Sequence, residues 1–287
     1  MQNSDKANTD DWDQIIEPHG KLLNLKFGEL WRYRDLIYLF VRRDFVAQYK
    51  QTILGPTWHI LQPLLTTIVF TIVFGRIAKI PTDGVPPFVF FLSGTVIWTY
   101  FANVITDTSV TFSKNAHVFG KVYFPRLVTP IATTLSKLIA FLIQFVFFIA
   151  YLAYLKLTGA AISPNAWVFV TPALLLALAM LALSCGLLIT AMTTRYQDLA
   201  VLVSFGVQLA MYASPVIYPI SSLPEKWQFW ANLNPIAPIL ECFRYAFLGV
   251  GQFQPQQLIY SGIIISLMFG FSAIVFSRVE RTFADTI

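Results

Sequence analysis

Opposite charges at a helical spacing inside apolar sequence are the first residues here that could do chemistry. Glu241 and Arg244 stand three apart in ILECFRYAFL, a separation that brings two side chains onto one helix face and suits an ion pair. Such a pair either braces its segment or carries ions, and bracing is the simpler reading. Asp107 and Lys137 occupy two consecutive apolar runs. Asp107 falls about 29 Å along its run from Phe88, and Lys137 about 16 Å beyond Arg126, at 1.5 Å per residue. An unpaired lysine at that depth costs about 3 kcal/mol. The two runs are antiparallel if each crosses a membrane, so Asp107 meets Lys137 when the lysine stem reaches down. A structural pair and a proton relay are the competing roles.

Catalytic and nucleotide chemistry find no support. No G-x-x-x-x-G-K-[ST] phosphate cradle occurs; the single Gly-Lys pair, Gly120-Lys121, is followed by Val122 and lacks a glycine five residues earlier. His19, His59 and His117 are scattered, and Cys185 and Cys242 have neither disulfide nor metal-ligand spacing, so both read as packing residues. No catalytic residue, metal ligand or cofactor is expected in this chain. Active transport would then draw on an ion gradient or on a separate ATPase.

These residues must be positioned by membrane helices. With 56% hydrophobic and 12% charged residues over 287 positions, one soluble core with a solvated surface is excluded. Six spans are expected, at Trp58 to Ile77, Phe88 to Ser109, Arg126 to Leu155, Ala166 to Thr190, Leu199 to Ile220 and Leu258 to Phe276. Fourteen lysines and arginines fall on the side of the termini, and five (Arg76, Lys79, Lys156, Lys226, Arg244) on the other. That bias predicts both termini in the cytoplasm. It also accounts for the +5 net charge as a topology signal, with no nucleic-acid partner. No cleavable signal peptide is expected at the N-terminus.

Two segments are neither spans nor plain loops. Within 29–51, Leu30, Tyr33, Leu36, Ile37, Phe40, Val41 and Phe45 recur at helical spacing while Arg32, Asp35, Arg42, Arg43 and Asp44 take other positions. An amphipathic helix lying along the membrane interface follows, after a flexible cytoplasmic segment 1–28. A plain surface anchor, a moving part and a docking face are all compatible with it. The stretch 224–251 is apolar yet interrupted by Asn234-Pro235. Asparagine caps and proline opens a second piece that stops near Gly249. The two pieces reach about 14 and 21 Å, short of the ~30 Å hydrocarbon layer. A re-entrant pair is the expectation, since broken helices at membrane depth require burial or a wet cavity.

The blocks RYRDLIYLFVRRDFVAQYKQTILGPTWHILQPLL, FGRIAKIPTDGVPPFVF, KVYFPRLVTP, TTRYQDLA, SPVIYPISSLPEKW and LNPIAPILECFRYAFLG occur in order from about Leu30 to Gly249. Together they resemble the ABC-2 type permeases, and within them the branch that exports lipid-linked polysaccharides such as O-antigen, capsule and teichoic acid. In TTRYQDL, Gln197 stands where those permeases usually carry a second basic residue, which weakens any charge role for that loop.

The resemblance implies an all-α transmembrane domain over 52–277 with a cytoplasmic tail at 278–287, in the inner membrane of a bacterium. It implies a homodimer with the pathway between subunits, and two copies of a cytoplasmic ATPase that bind the ATP and magnesium. The substrate it implies is an undecaprenyl-diphosphate-linked polysaccharide. By the same resemblance the loop 114–125 is the coupling helix, with His117, Phe119, Lys121 and Tyr123 as ATPase contacts. A basic loop held at the headgroups accounts for Lys114, Lys121 and Arg126 equally well.

A glycan conduit needs several weak stacking faces, and Phe70, Phe74, Tyr212, Tyr218, Trp227 and Trp230 are the candidates, in competition with an ordinary interfacial aromatic belt. Arg42, Arg43 and Lys50 are candidates for receiving the lipid diphosphate, in competition with general attraction to anionic lipids. Export of a drug or small lipid, an ion-coupled carrier, and a non-transport membrane scaffold or enzyme are the alternative functions.

Overall fold

Proline and glycine fix most helix ends in this chain. The computed structural model describes residues 27–50, 52–119, 121–122, 124–160, 162–193, 196, 198–251 and 253–284, and among these it contains helices and no strand. Tyr123, Arg195 and Gln197, and nearly all of segment 1–28, lie outside the described residues. The elements are α1 (Phe27–Arg32), α2 (Arg34–Tyr49), α3 (Trp58–Phe70), which continues as a π-helical turn over Thr71–Ile77, α4 (Pro87–Ser109) and α5 (Thr111–Phe119). They continue as α6 (Val128–Leu157), α7 (Thr171–Thr193), α8 (Leu199–Ala213), α9 (Glu225–Leu233), α10 (Ala237–Leu248) and α11 (Pro255–Ala284).

Among the described residues, five helical stretches are long and apolar enough to cross a membrane: Gly55–Ile77, Pro87–Ser109, Val128–Leu157, Ala166–Thr193 and Pro255–Val279. The expected fifth span, Leu199 to Ile220, is shorter than its hydropathy suggested. α8 stops at Ala213 after fifteen residues, about 22 Å, because Ser214 precedes Pro215 and is forced into extended backbone, φ −101° and ψ 153°. The expected tail 278–287 instead continues α11 as helix to Ala284. The amphipathic segment is two helices rather than one, broken at Tyr33 (φ −92°, ψ 17°).

α4 is the centre of the bundle. It packs against α3, α6, α7 and α8, and most of its residues are buried. Gly186 permits the close approach of α7 to α4: a Cβ there would lie 2.7 Å from Cβ of Thr108. That proximity lets Thr190 donate to the Thr108 carbonyl at 2.7 Å and Thr193 to the Ser109 carbonyl at 2.5 Å, so α7 satisfies carbonyls that the end of α4 leaves without helical partners.

The interruption at Asn234-Pro235 is present, and α9 ends at Leu233. α10 starts two residues later than proline alone suggested, because Asn234 Oδ1 accepts from the Ile236 amide at 3.2 Å and holds a turn before the helix. α10 is buried along its whole length except Tyr245 and ends at Gly249 in the left-handed region, φ 75°, where a side chain would run into Ser163. A buried broken helix needs its loose carbonyls bonded. Ser261 on α11 donates to the Pro235 carbonyl (2.6 Å), and Asn165 gives its side-chain amide to Tyr245 (2.9 Å) and its backbone N–H to Ala246 (3.0 Å).

Candidate functional site

Arg244 fills the gap that the break after α8 creates. Its Nη1 and Nη2 donate to the Pro215 and Val216 carbonyls at 2.6 Å each, Nε lies 3.4 Å from Ser93 Oγ, and the guanidinium sits 3.9 Å from the centre of the Phe90 ring. Glu241 Oε1 is 3.7 Å from Nη1, and both side chains are essentially inaccessible. Arginine suits the place because its planar fork serves two carbonyls at once while its face lies on an aromatic ring. Burial pushes the guanidinium down to about 10, and Glu241 and Asp83 act to raise it; it stays protonated at neutral pH. Gly94 is required beside it, since a Cβ there would meet the Val216 carbonyl at 2.6 Å and Arg244 Nη2 at 2.9 Å.

The candidate aromatic row divides. Phe70 is buried, with its ring against Phe74 and Phe91 at centroid distances of 5.4 and 6.3 Å, so it presents no face to a pathway. Phe74 and Tyr218 are half-buried. Tyr212 on α8 and Trp227 and Trp230 on α9 are at least half exposed. Sequence could identify the ring types but not the side to which each turns.

At the end of the bundle that carries α2, this helix is clamped to α5 and α6 by a small apolar cluster of Phe40, Phe124, Val128 and Ala132. A polar latch reinforces it: Arg43 Nη2 lies 2.8 Å from Asp44 Oδ1 and donates to Asn115 Oδ1 at 3.0 Å, with its guanidinium 4.5 Å from the centre of the Phe40 ring. Arg43 is thereby engaged within the protein, while Arg42 and Lys50 are exposed. On α5, Lys114 and His117 face outward, and Lys121 follows in the exposed loop. Phe119 does not share that surface. It is half-buried, 5.8 Å from the Phe112 ring and 5.5 Å from the Phe124 ring, so its role within this chain is to seat α5 on the bundle.

Asp107 and Lys137 do come together, with Lys137 Nζ 2.6 Å from Asp107 Oδ2 and both side chains partly accessible. No group of His, Cys, Asp and Glu suited to a metal occurs among the described residues.

The arrangement offers an exposed basic helix beside α2, a sealed polar joint around Arg244, and membrane-length helices. Residues 35–248 match the family described as ABC-2 type transporter. The chain is 24% identical over 255 residues to the "O-antigen export system permease protein RfbA" of Klebsiella pneumoniae, covering 88% of this chain and 95% of that protein. It is 25% identical over 265 residues to the protein of the same name from Myxococcus xanthus, covering 90% and 98%. Similarity to the "Inner membrane transport permease YadH" of Escherichia coli K12 is 30% over 117 residues, covering 41% of this chain and 44% of that one.

Proposed function

This chain belongs to the ABC-2 type transporter family and is a multi-pass membrane protein, and we propose that it is the permease subunit of an ATP-driven exporter of lipid-linked polysaccharide in the bacterial inner membrane. The observation that carries the substrate class is similarity over nearly the whole chain to permeases named for O-antigen export. In this reading both termini are cytoplasmic. α8 completes a sixth crossing with the extended residues after it, and α9 and α10 form a re-entrant pair on the outer side. A second copy forms the conduit with this one. α8, which has no buried residue, supplies a free apolar face for it, and Phe74, Tyr212, Tyr218, Trp227 and Trp230 supply weak stacking contacts for sugar rings.

A separate ATPase binds the ATP and magnesium and docks at α5 through His117, Lys121 and Tyr123. The Arg43–Asn115 latch supports a mechanical role for α2, because motion imposed on α5 reaches the interface helix directly.

The test is a deletion strain complemented with variants at matched protein level. Deletion should remove the surface polysaccharide and leave its lipid-linked form in the cytoplasm; Trp230→Ala alone should slow export partially, and loss of several of these rings should stop it. Normal surface glycan in the deletion strain, with drug sensitivity changed instead, would favour a small-molecule exporter. ATP hydrolysis by the purified chain alone would remove the division of labour.

A further inference from the structure

We infer that a pocket walled by three aromatic rings, near the end of α6 remote from α2, binds a neutral sugar ring outside the conduit, a proposal that rests on the polysaccharide reading above. The pocket has a volume of about 540 Å³ and is lined by Trp167, Tyr245, Gly251, Phe253, Gln254 and Pro255, a size common for small-ligand sites. Those residues come from the 3-10 turn Ala166–Val170 that precedes α7, from α10, and from the chain that leads into α11. None lies between Trp58 and Ile77 or between Leu199 and Leu233, the stretches that carry the rings assigned above to the conduit.

The pocket is held in shape by the protein alone. A single side chain, Asn165, fixes two of its walls: Oδ1 accepts from the Trp167 amide at 3.0 Å, and Nδ2 donates to the Tyr245 carbonyl at 2.9 Å. The backbone N–H of Asn165 adds a bond to the Ala246 carbonyl at 3.0 Å. Gly251, at φ 108°, turns the chain back so that Phe253 reaches both rings. The Phe253 centroid lies 4.6 Å from that of Trp167, edge to face, and 5.4 Å from that of Tyr245, with the latter two planes stacked. A side chain at 251 is excluded twice, by that φ and by Glu241 Oε2, which would lie 2.7 Å from its Cβ. Trp167, Tyr245 and Phe253 are each half-buried, so each ring keeps part of its surface accessible.

The lining selects a neutral ring that carries hydroxyls. No lining residue is charged, and Glu241, the buried carboxylate behind Gly251, is matched by Arg244, so neither an anion nor a cation finds a partner. An aromatic face carries a negative quadrupole, and the C–H bonds on one face of a pyranose, polarised by the ring's oxygens, meet it with positive charge over a similar area. The Trp167 indole N–H, the Tyr245 hydroxyl and the Gln254 carboxamide add donors and acceptors for the sugar hydroxyls. An acyl chain would use the rings but strip water from those polar groups without replacing it. In the topology proposed above this end of α6 is external, so the site takes hold of sugars that have already left the conduit.

The assay uses the full-length protein in phospholipid nanodiscs, extracted without a glycoside detergent, and reads binding by saturation-transfer NMR. The probes are the neutral trisaccharides maltotriose, mannotriose and galactotriose, with sorbitol as a polyol that has no ring face. At least one trisaccharide should bind, and sorbitol should not. Trp167→Leu/Tyr245→Leu should weaken binding about three- to tenfold per ring, and Gln254→Ala, at an exposed position, should weaken it by a smaller factor. Binding of no trisaccharide, sorbitol binding as tightly as a trisaccharide, or a larger loss on Tyr212→Leu/Trp230→Leu than on the pocket variants would each overturn the site. Trp167 fluorescence, taken as the difference from Trp167→Phe, should resist quenching by brominated acyl chains; strong quenching would assign the pocket to lipid and overturn the sugar. A deletion strain with normal surface polysaccharide and intact trisaccharide binding would remove the exported polysaccharide and leave the pocket. Loss of surface polysaccharide with no trisaccharide binding would do the reverse.

Discussion

Among the described residues two ion pairs lie within apolar helices, and they are built on opposite principles. Arg244 and Glu241 are sealed, and the guanidinium is fully occupied by two carbonyls, a hydroxyl and an aromatic face. Lys137 and Asp107 are closer to each other, yet they are partly accessible and border a cavity. In the sealed pair the guanidinium is committed to backbone carbonyls and holds two segments together. The accessible pair makes one short contact beside a solvent-open cavity. The difference lies in surroundings and not in separation, which is why charge spacing alone gave both pairs the same reading.

The sharpest break of this contrast is Arg244→Met. It strands a buried carboxylate and two carbonyls, and should cost about 3–5 kcal/mol, seen as loss of monodisperse protein after detergent extraction. Next comes Gly94→Ala, whose added methyl would press on the Val216 carbonyl and Arg244 Nη2; overpacking of this kind costs about 1–3 kcal/mol, measured as a lowered thermal midpoint with the fold retained. The smallest stability effect belongs to Asp107→Asn/Lys137→Met. A partly exposed pair contributes about 1 kcal/mol or less, so the thermal midpoint should barely move while export falls. Equal destabilisation by this variant and by Arg244→Met would erase the distinction.

What the sequence displayed depended on how local the cause was. The break at Asn234-Pro235 and the stop at Gly249 were legible because proline, asparagine and glycine act on their own backbone. The α2 face was legible from its spacing. The end of α8 was not, because hydropathy continues through Val216 and Ile217 even though Pro215 has already redirected the chain; the Ser-Pro pair was the signal available. Phe70 and Phe119 read as exposed contacts but point inward, since ring direction depends on which neighbours occupy each face.

Arg244 also orders events in time. Its three hydrogen-bond partners were synthesised 28, 29 and 151 residues earlier, so during translation the turn after α8 enters the membrane with the Pro215 and Val216 carbonyls still awaiting their donor. The bundle cannot close until α10 arrives. The last-made quarter of the chain thus acts as a keystone, and a ribosome product cut short before it displays unsatisfied backbone that membrane proteases can recognise, whereas a finished chain hides it. The joint that stiffens the mature permease is also the mark by which a complete copy differs from an incomplete one.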